Sequence, residues 1–246
     1  MNKDMELRGL SAIVTGASRG LGAALLKELS SRGARVVGVA RDAEALSAVV
    51  AEAREAGGEA FAVVADVSDK EATHAVAGSA AALVGPIDLL IHNASTLGPV
   101  PLRGLAETDC EDLERALAVN VVGPFRLTKA VVGSMAVRGR GLVIHITSDA
   151  AISSYPTWGA YGASKAAFDH LSRIWAEELG GFGVRFVLVD PGEMDTVMHA
   201  DAMPEADRST LARPADVARR IARIVEKSGT IASGARVEAA SVEVSS

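Results

Sequence analysis

The chain has 246 residues with 25 basic and 31 acidic side chains, and the resulting formal charge of −6 calls for no nucleic-acid partner. Apolar residues make up 49% and charged ones 23%, ordinary globular usage that excludes a disordered or collagen-like chain and allows one domain with a large core. Five Phe, two Trp and two Tyr are the only aromatic rings, so small and β-branched aliphatics must pack the core, as helices lying closely on a mostly parallel sheet require.

The opening MNKDMELRGL is charged and lacks the apolar stretch and cleavage site of a signal peptide. Short runs rich in Val and Ile then alternate with Ala-rich stretches of helical period, the pattern of βαβ units. In chain order they predict a strand over 10–15, a helix over 20–32, a strand over 35–40, a helix over 43–56, a strand over 60–65 and a helix over 70–84. A strand over 88–92, a long helix over 110–138, a strand over 141–147, a helix over 161–179, a strand over 184–190, a helix over 215–227 and a weak strand over 232–238 complete the set. Turn signals such as Gly57-Gly58, Gly85-Pro86 and Pro191-Gly192 fall between elements. No linker or repeat divides 1–246, and only the first few residues and the tail 241–246 read as loose. Uninterrupted apolar runs fall well short of the about 18 residues of a membrane span. Cys110 is the only cysteine, which rules out an internal disulfide and a thiolate cluster and fits a reducing, cytoplasmic setting. Right-handed crossovers between parallel strands make a single doubly wound α/β domain, whose ligands belong at the carboxyl ends of the strands.

The first such end reads Thr15-Gly16-Ala17-Ser18-Arg19-Gly20-Leu21-Gly22 and opens a helix. Gly16 permits a tight turn, Gly20 lets backbone approach a pyrophosphate, and Gly22 lets the helix pack on the strand. The free amides and positive dipole end of that helix then receive an anion. Further on, Tyr161 and Lys165 stand at i and i+4 and so share one helix face, where an ammonium can lower a phenol's pKa from its usual about 10. Ser148 ends the fifth strand thirteen residues before Tyr161.

The T-G-x-x-x-G-x-G turn, Ser148 and Tyr161-x-x-x-Lys165 together resemble the classical short-chain dehydrogenase/reductase family, over about residues 10–214. The resemblance implies one Rossmann-like domain, a nicotinamide cofactor and carbonyl reduction. Gly16, Ser18, Arg19, Gly20, Leu21 and Gly22 would then hold the pyrophosphate. Where NAD-preferring members carry an acid, this chain has Ala40 followed by Arg41. Arg41, with Arg19 beside it, implies NADP(H) over NAD(H) through the 2′-phosphate, unless Arg41 is a solvated strand end and Asp42 merely a helix cap. Asp66-Val67 resembles the adenine-binding pair, with the N-cap of the following helix as the other reading of Asp66. Asn93 and Ala94 match the family's Asn-Asn-Ala-Gly; Asn93 would brace the central strands and Ala94 contact the cofactor, while His92 and Ser95 depart from the pattern.

The same resemblance makes Asn120, Ser148, Tyr161 and Lys165 the catalytic set. Ser148 would hold the carbonyl oxygen, Tyr161 donate the proton, Lys165 lower the tyrosine pKa and bind the nicotinamide ribose, and Asn120 anchor a relay water. Asn120 could otherwise be a mid-helix polar residue, but its neighbours Val119, Val121 and Val122 read as buried. Pro191, Gly192 and Thr196 would line the carboxamide end, and 194–213, with three Met, the substrate lid. Trp158, Asp195-Thr196 and the stretch Ser233-Gly234-Ala235-Arg236-Val237-Glu238 look most like the sepiapterin reductase branch; Glu238 stands where that branch has a pterin-anchoring Asp, or is simply a surface acid. The five histidines show no metal-ligand spacing, so no metal is expected, and His145 should alternate within its strand. Spare apolar faces on the two long helices suggest a homodimer or homotetramer. A catalytically silent NADP-binding sensor or scaffold on the same fold is the alternative to an enzyme, though a mere binder needs no phenol-ammonium pair.

Overall fold

The computed structural model describes residues 4–243. Seven strands form one parallel sheet: β1 (Ser11–Thr15), β2 (Arg35–Ala40), β3 (Glu59–Val64), β4 (Leu89–His92), β5 (Gly141–Ile146), β6 (Val184–Asp190) and β7 (Arg236–Glu238), in the order β3-β2-β1-β4-β5-β6-β7. The chain builds outward from β1 to β3 and then returns to pair β4 with β1, which puts the switch point, and a crevice, at the carboxyl ends of β1 and β4. The helices are α1 (Gly20–Ser31), α2 (Ala43–Glu55), α3 (Ala72–Val84), α4 (Cys110–Leu117), α5 (Gly123–Arg138), α6 (Gly159–Leu179), α7 (Val197–Ala202) and α8 (Pro214–Glu226).

Successive residues of β1 feed opposite layers, as strand geometry demands. Ala12 and Val14 pack with Leu25 and Leu29 of α1, Leu46 of α2 and Ile221 of α8. Ile13 packs with Val76 and Ala80 of α3 and Leu127, Val131 and Met135 of α5. Because β5 is covered on both faces it is buried throughout, so His145 alternates in direction but not in polarity: it points into the layer under α6.

Boundaries differ from the sequence expectation by a residue or two, with three informative exceptions. Strand β7 has three residues rather than the expected seven, because Gly234 takes φ +83° and its amide bonds Phe186 O at 2.7 Å, turning 232–235 away from the ladder. The long helix is continuous but opens at Ala118–Val122 into a π turn, with Gly123 N donating to Ala118 O. Short helix α7 was not foreseen; the Thr196 hydroxyl caps it by accepting from His199 N at 3.2 Å.

The described chain ends are packed rather than loose. Met5 N donates to Glu226 O and Leu7 is buried, while Ala239 is buried and Val242 packs on the core; the rest of the expected tail, 244–246, lies outside the described residues. The 110–138 stretch is also long and apolar enough to cross a membrane, which a search for uninterrupted apolar runs misses because Arg126 and Lys129 interrupt it; half of its most apolar window is buried inside this domain.

Candidate active site

At the switch point the first turn is tied to the fourth strand end. Thr15 Oγ1 accepts from the amides of Asn93 and Ala94, each at 3.1 Å, and Asn93 Nδ2 donates to Thr15 O at 3.0 Å and Gly16 O at 3.3 Å. Gly16 sits at φ +68°, and a Cβ there would lie 2.8 Å from Ala94 Cα; a Cβ on Gly22 would collide with Gly16 O. Helix α1 thus starts hard against the turn. No side chain caps it, whereas Asp42 caps α2 by accepting from Ala45 N at 3.0 Å. The amides at the start of α1, beside exposed Arg19 and half-buried Ser18, therefore fit a pyrophosphate, with buried Leu21 anchoring the helix behind them. Across this start stands Thr196, whose methyl would be 3.5 Å from a Cβ on Gly20.

At the far end of the crevice Arg41 is largely exposed, and its Nη1 lies 3.5 Å from Asp66 Oδ2. Asp66 Oδ1 accepts from both the amide and the hydroxyl of Ser68, at 2.8 and 2.7 Å. That Asx turn corrects the helix-cap reading of Asp66: α3 begins six residues later, with no side-chain cap. Partial burial pushes the Asp66 carboxyl up, but Ser68 and Arg41 outweigh it and hold it below the usual carboxylate range. Val67, next in the chain, packs its carbonyl against Gly123, where any Cβ would collide with it.

The proposed chemical end gathers on one wall. Tyr161 is buried with Leu97 and Ala150, and Leu102, Trp158, Met198 and Ala202 pack against them; the Trp158 ring meets Tyr161 edge-on at 5.7 Å. Lys165 Nζ is buried, 5.6 Å from the Tyr161 ring centroid, and donates to Ile146 O at 2.7 Å. Ser148 Oγ donates to Asp149 Oδ1 at 2.9 Å and accepts from Ala150 N at 3.2 Å, while Tyr155 donates to Asp149 Oδ2 at 2.8 Å. Asp149 is therefore an acid beside the proposed active site that motif reading missed; its only signal was adjacency to Ser148.

One expectation is corrected by this geometry: the phenol is not lowered overall. Burial pushes Tyr161 up to about 12; the Ser148 hydroxyl opposes this, and the charges of Asp149, Asp190 and Asp169 reinforce it. The Lys165 ammonium is turned to the Ile146 carbonyl, and burial pulls Lys165 itself down to about 8 against the charge of Asp169. The side-chain amide of Asn120, in the π turn, is fully engaged within the protein. Its Nδ2 donates to Thr96 O at 2.8 Å and Ser164 Oγ at 2.9 Å, and its Oδ1 accepts from Thr96 N at 2.9 Å and Ser95 Oγ at 3.1 Å. It is a brace between α4, α6 and the loop after β4, and Ser95, the departure from the family pattern, is one of its partners.

Pro191 is buried, and Gly192 takes φ +73° with its amide donating to Asp190 Oδ1 at 3.0 Å. The segment 194–213 is closed at its base, where Asp195 N bonds Ala212 O at 3.0 Å and Ala212 N bonds Glu193 O at 3.2 Å. Its three Met diverge: Met194 joins the core, Met198 the Tyr161 wall, and Met203 is exposed. Glu238 is exposed at the end of β7, in register with Asp190. Among the described residues no three His, Cys, Asp or Glu side chains gather as a metal site.

Comparison with known proteins agrees with this architecture. The family model for short chain dehydrogenase matches residues 11–207. Short chain dehydrogenase MYCFIDRAFT_6125 of Pseudocercospora fijiensis is 36% identical over 79% of this chain and 63% of its own length, so the chain spans just under two thirds of that relative. A solved 7α-hydroxysteroid dehydrogenase, complexed with NADH and 7-oxo glycochenodeoxycholic acid, is 31% identical with a TM-score of 0.86, over 95% of this chain and 94% of that one. A metagenomic short-chain oxidoreductase in complex with NADP is 35% identical with a TM-score of 0.81, over 95% of this chain and 97% of that one. With the glycine turn, the switch-point crevice and the parallel seven-stranded sheet in place, the chain belongs to the short-chain dehydrogenase/reductase family of nicotinamide-dependent oxidoreductases.

Proposed function

We propose that the protein is a cytoplasmic, NADP(H)-dependent oxidoreductase that interconverts the carbonyl and alcohol of a small, largely apolar substrate: a ketone, a diketone or a pterin-like compound. The observation that carries this is the apolar wall of Leu97, Trp158 and Met198 around a buried phenol, with the Ser148 hydroxyl acting to lower that phenol's pKa and Lys165 one turn along the same helix. When bound, the nicotinamide supplies or accepts the hydride. Ser148 rotates its hydroxyl from Asp149 to hold the carbonyl oxygen, a small torsional move. Tyr161, fully protonated at neutral pH, donates to that oxygen. Lys165 stays mostly charged at pH 7 and stabilises the phenolate left behind. Asn120 keeps the floor of the site in place through the π turn.

Arg41 and Arg19 support NADP(H): both are exposed guanidinium groups at the crevice, and Arg41 needs only to leave a 3.5 Å surface contact with Asp66 to meet a 2′-phosphate. The lid is 194–213, hinged at its closed base. Exposed Val122, Val137 and Ile174 on the outer side of the 110–138 stretch and α6 support a homodimer or homotetramer, which light scattering would read as a multiple of the chain mass.

The test is NADPH oxidation at 340 nm against ketones, diketones, quinones and pterins. Turnover with at least one class is expected, and none with any of them favours a silent binder. Tyr161→Phe should lose at least about a hundredfold in kcat, the general-acid contribution, with NADPH affinity within about twofold; wild-type kcat would sink the assignment of the phenol. The wild type should show higher kcat/KM with NADPH than with NADH, and Arg41→Asp should reverse the order. Equal use of both by the wild type would refute the preference.

A further inference from the structure

Behind the Tyr161–Lys165 pair lies a buried charge network that the proposed reaction does not use. Asp169 follows Lys165 by one helical turn and Tyr161 by two, so the three share a face of α6, and Asp169 is only 2% exposed. Its Oδ1 lies 3.2 Å from His145 Nδ1 and its Oδ2 3.3 Å from Arg236 Nη1. Arg236, from β7, also reaches Thr147 Oγ1 at 3.3 Å and Asp190 Oδ2 at 2.7 Å. His145, Ile146, Thr147 and Ser148 are consecutive, and Ile146 is the residue whose carbonyl holds Lys165. One connected polar chain thus joins the carboxyl ends of β5 and β6, the catalytic face of α6, and the last strand.

The groups that act on or pack against Lys165 are Tyr161 and Asp169 from its own helix, His92 from β4 and His145 from β5; Asp149 after β5 and Asp190 from β6 act on Tyr161, and Arg236 from β7 on His145 and Asp169. Both imidazoles are neutral: burial takes His92 down to about 3 and His145 to about 4. Asp149 is exposed, and Asp190 and Asp169 both pair with Arg236. Of these, Asp169 stands one turn from Lys165 on the same buried face of α6 and is the carboxylate that helps keep its ammonium charged in an otherwise dehydrating site. Burial raises the Asp169 carboxyl, but His145, Thr147 and Arg236 together hold it below its ordinary range, so it is ionised at any physiological pH.

We propose that Asp169 is a positioning residue of this active site that acts through Lys165 by keeping its ammonium charged, and that Arg236 of the last strand sets how much of the Asp169 charge Lys165 feels. The role of Lys165 in turnover rests on the carbonyl-reductase reading; its dependence on Asp169 does not. The experiment is NMR titration of protein labelled with 13C at lysine Cε, the Lys165 signal being identified by its loss in Lys165→Met. Asp169→Asn should move the Lys165 midpoint down by a pH unit or more, a tenfold change in protonation ratio, and Arg236→Gln should move it up. A general loosening of the fold gives no such opposed signs.

Asp169→Glu should restore the wild-type midpoint, and the basic limb of the reductase pH–rate profile should follow the same order across the variants. A Lys165 midpoint unchanged by both Asp169→Asn and Arg236→Gln, or moved in the same direction by both, overturns the proposal. If Asp169→Asn does not fold, Arg236→Gln decides alone, an unmoved or lowered midpoint counting against. If no carbonyl compound is reduced by the wild type, the reductase reading fails while the titration still decides this proposal.

Discussion

Gly22 shows how a single missing Cβ positions the cofactor crevice. A methyl there would meet the carbonyl of Gly16 and approach Asn93 Nδ2 to 2.5 Å; the first is backbone and cannot step aside cheaply. Gly22→Ala should therefore cost about 2 kcal/mol as overpacking, a fall of roughly 4–8 °C in Tm, and weaken NADPH binding at least tenfold. Thermal melts and a fluorescence titration check both. This glycine was legible in sequence because its spacing from Gly16 carries the reason for it. Asp149 was not, since an acid after a strand is unremarkable until Ser148 and Tyr155 are seen donating to it. The phenol pKa was misjudged for a related reason: i, i+4 spacing places Lys165 near Tyr161, but burial of the phenol depends on which elements close over it, and burial outweighs its neighbours.

At the level of elements, the π turn at Ala118–Val122 is what turns Asn120 inward, where its amide satisfies four partners at once. Asn120→Ala would orphan the amide and carbonyl of Thr96, while Ser164 Oγ keeps its bond to Tyr161 O, at about 1–3 kcal/mol for each group left unpaired. We expect at least about 2 kcal/mol lost in urea unfolding. Asn120→Asp, which keeps the acceptor side but not the donor side, should fall between. Sequence periodicity reads this stretch as one uninterrupted helix, because a single extra residue per turn shifts the apolar pattern too little to detect over five residues. The last strand failed differently: 232–235, Ala-Ser-Gly-Ala, is poor in strand-forming residues, and Gly234 with its bond to Phe186 makes it a turn.

For the molecule as a whole, two imidazoles sealed between sheet and helix make stability depend on pH. His92 shares a 2.7 Å hydrogen bond with Thr128, and His145 faces Asp169; both rings contact Phe168. The unfolded chain takes up protons near 6.5, whereas the folded one resists until about 4 at His145 and about 3 at His92. Stability is therefore full above 6.5 and is lost as pH falls from there toward about 4. Well inside that window each imidazole contributes about 1.4 kcal/mol per pH unit. Urea unfolding between pH 6 and 4.5 should show this slope, and His92→Gln, which keeps a partner for Thr128, should remove about half of it.

The alternation of Val-rich and Ala-rich runs and the first glycine turn were enough to establish a doubly wound sheet with an anion-binding turn, because those features act locally through strand and helix period, backbone freedom and dipole; the nicotinamide came from the family resemblance that Ser148, Tyr161 and Lys165 complete. The aromatic scarcity also kept its meaning, with one refinement. Trp158 lies edge-on to Tyr161 and Phe168 to the two histidines, and Trp175 meets Phe125 and Phe186 edge-on within the domain. What only the tertiary structure decided are the arrangements made by residues far apart in the chain: Asp149 on the serine, the saturated amide of Asn120, and Asp169 balanced between His145 and Arg236. Buried charge and hydrogen-bond saturation depend on which elements close over a side chain, and no local pattern encodes that.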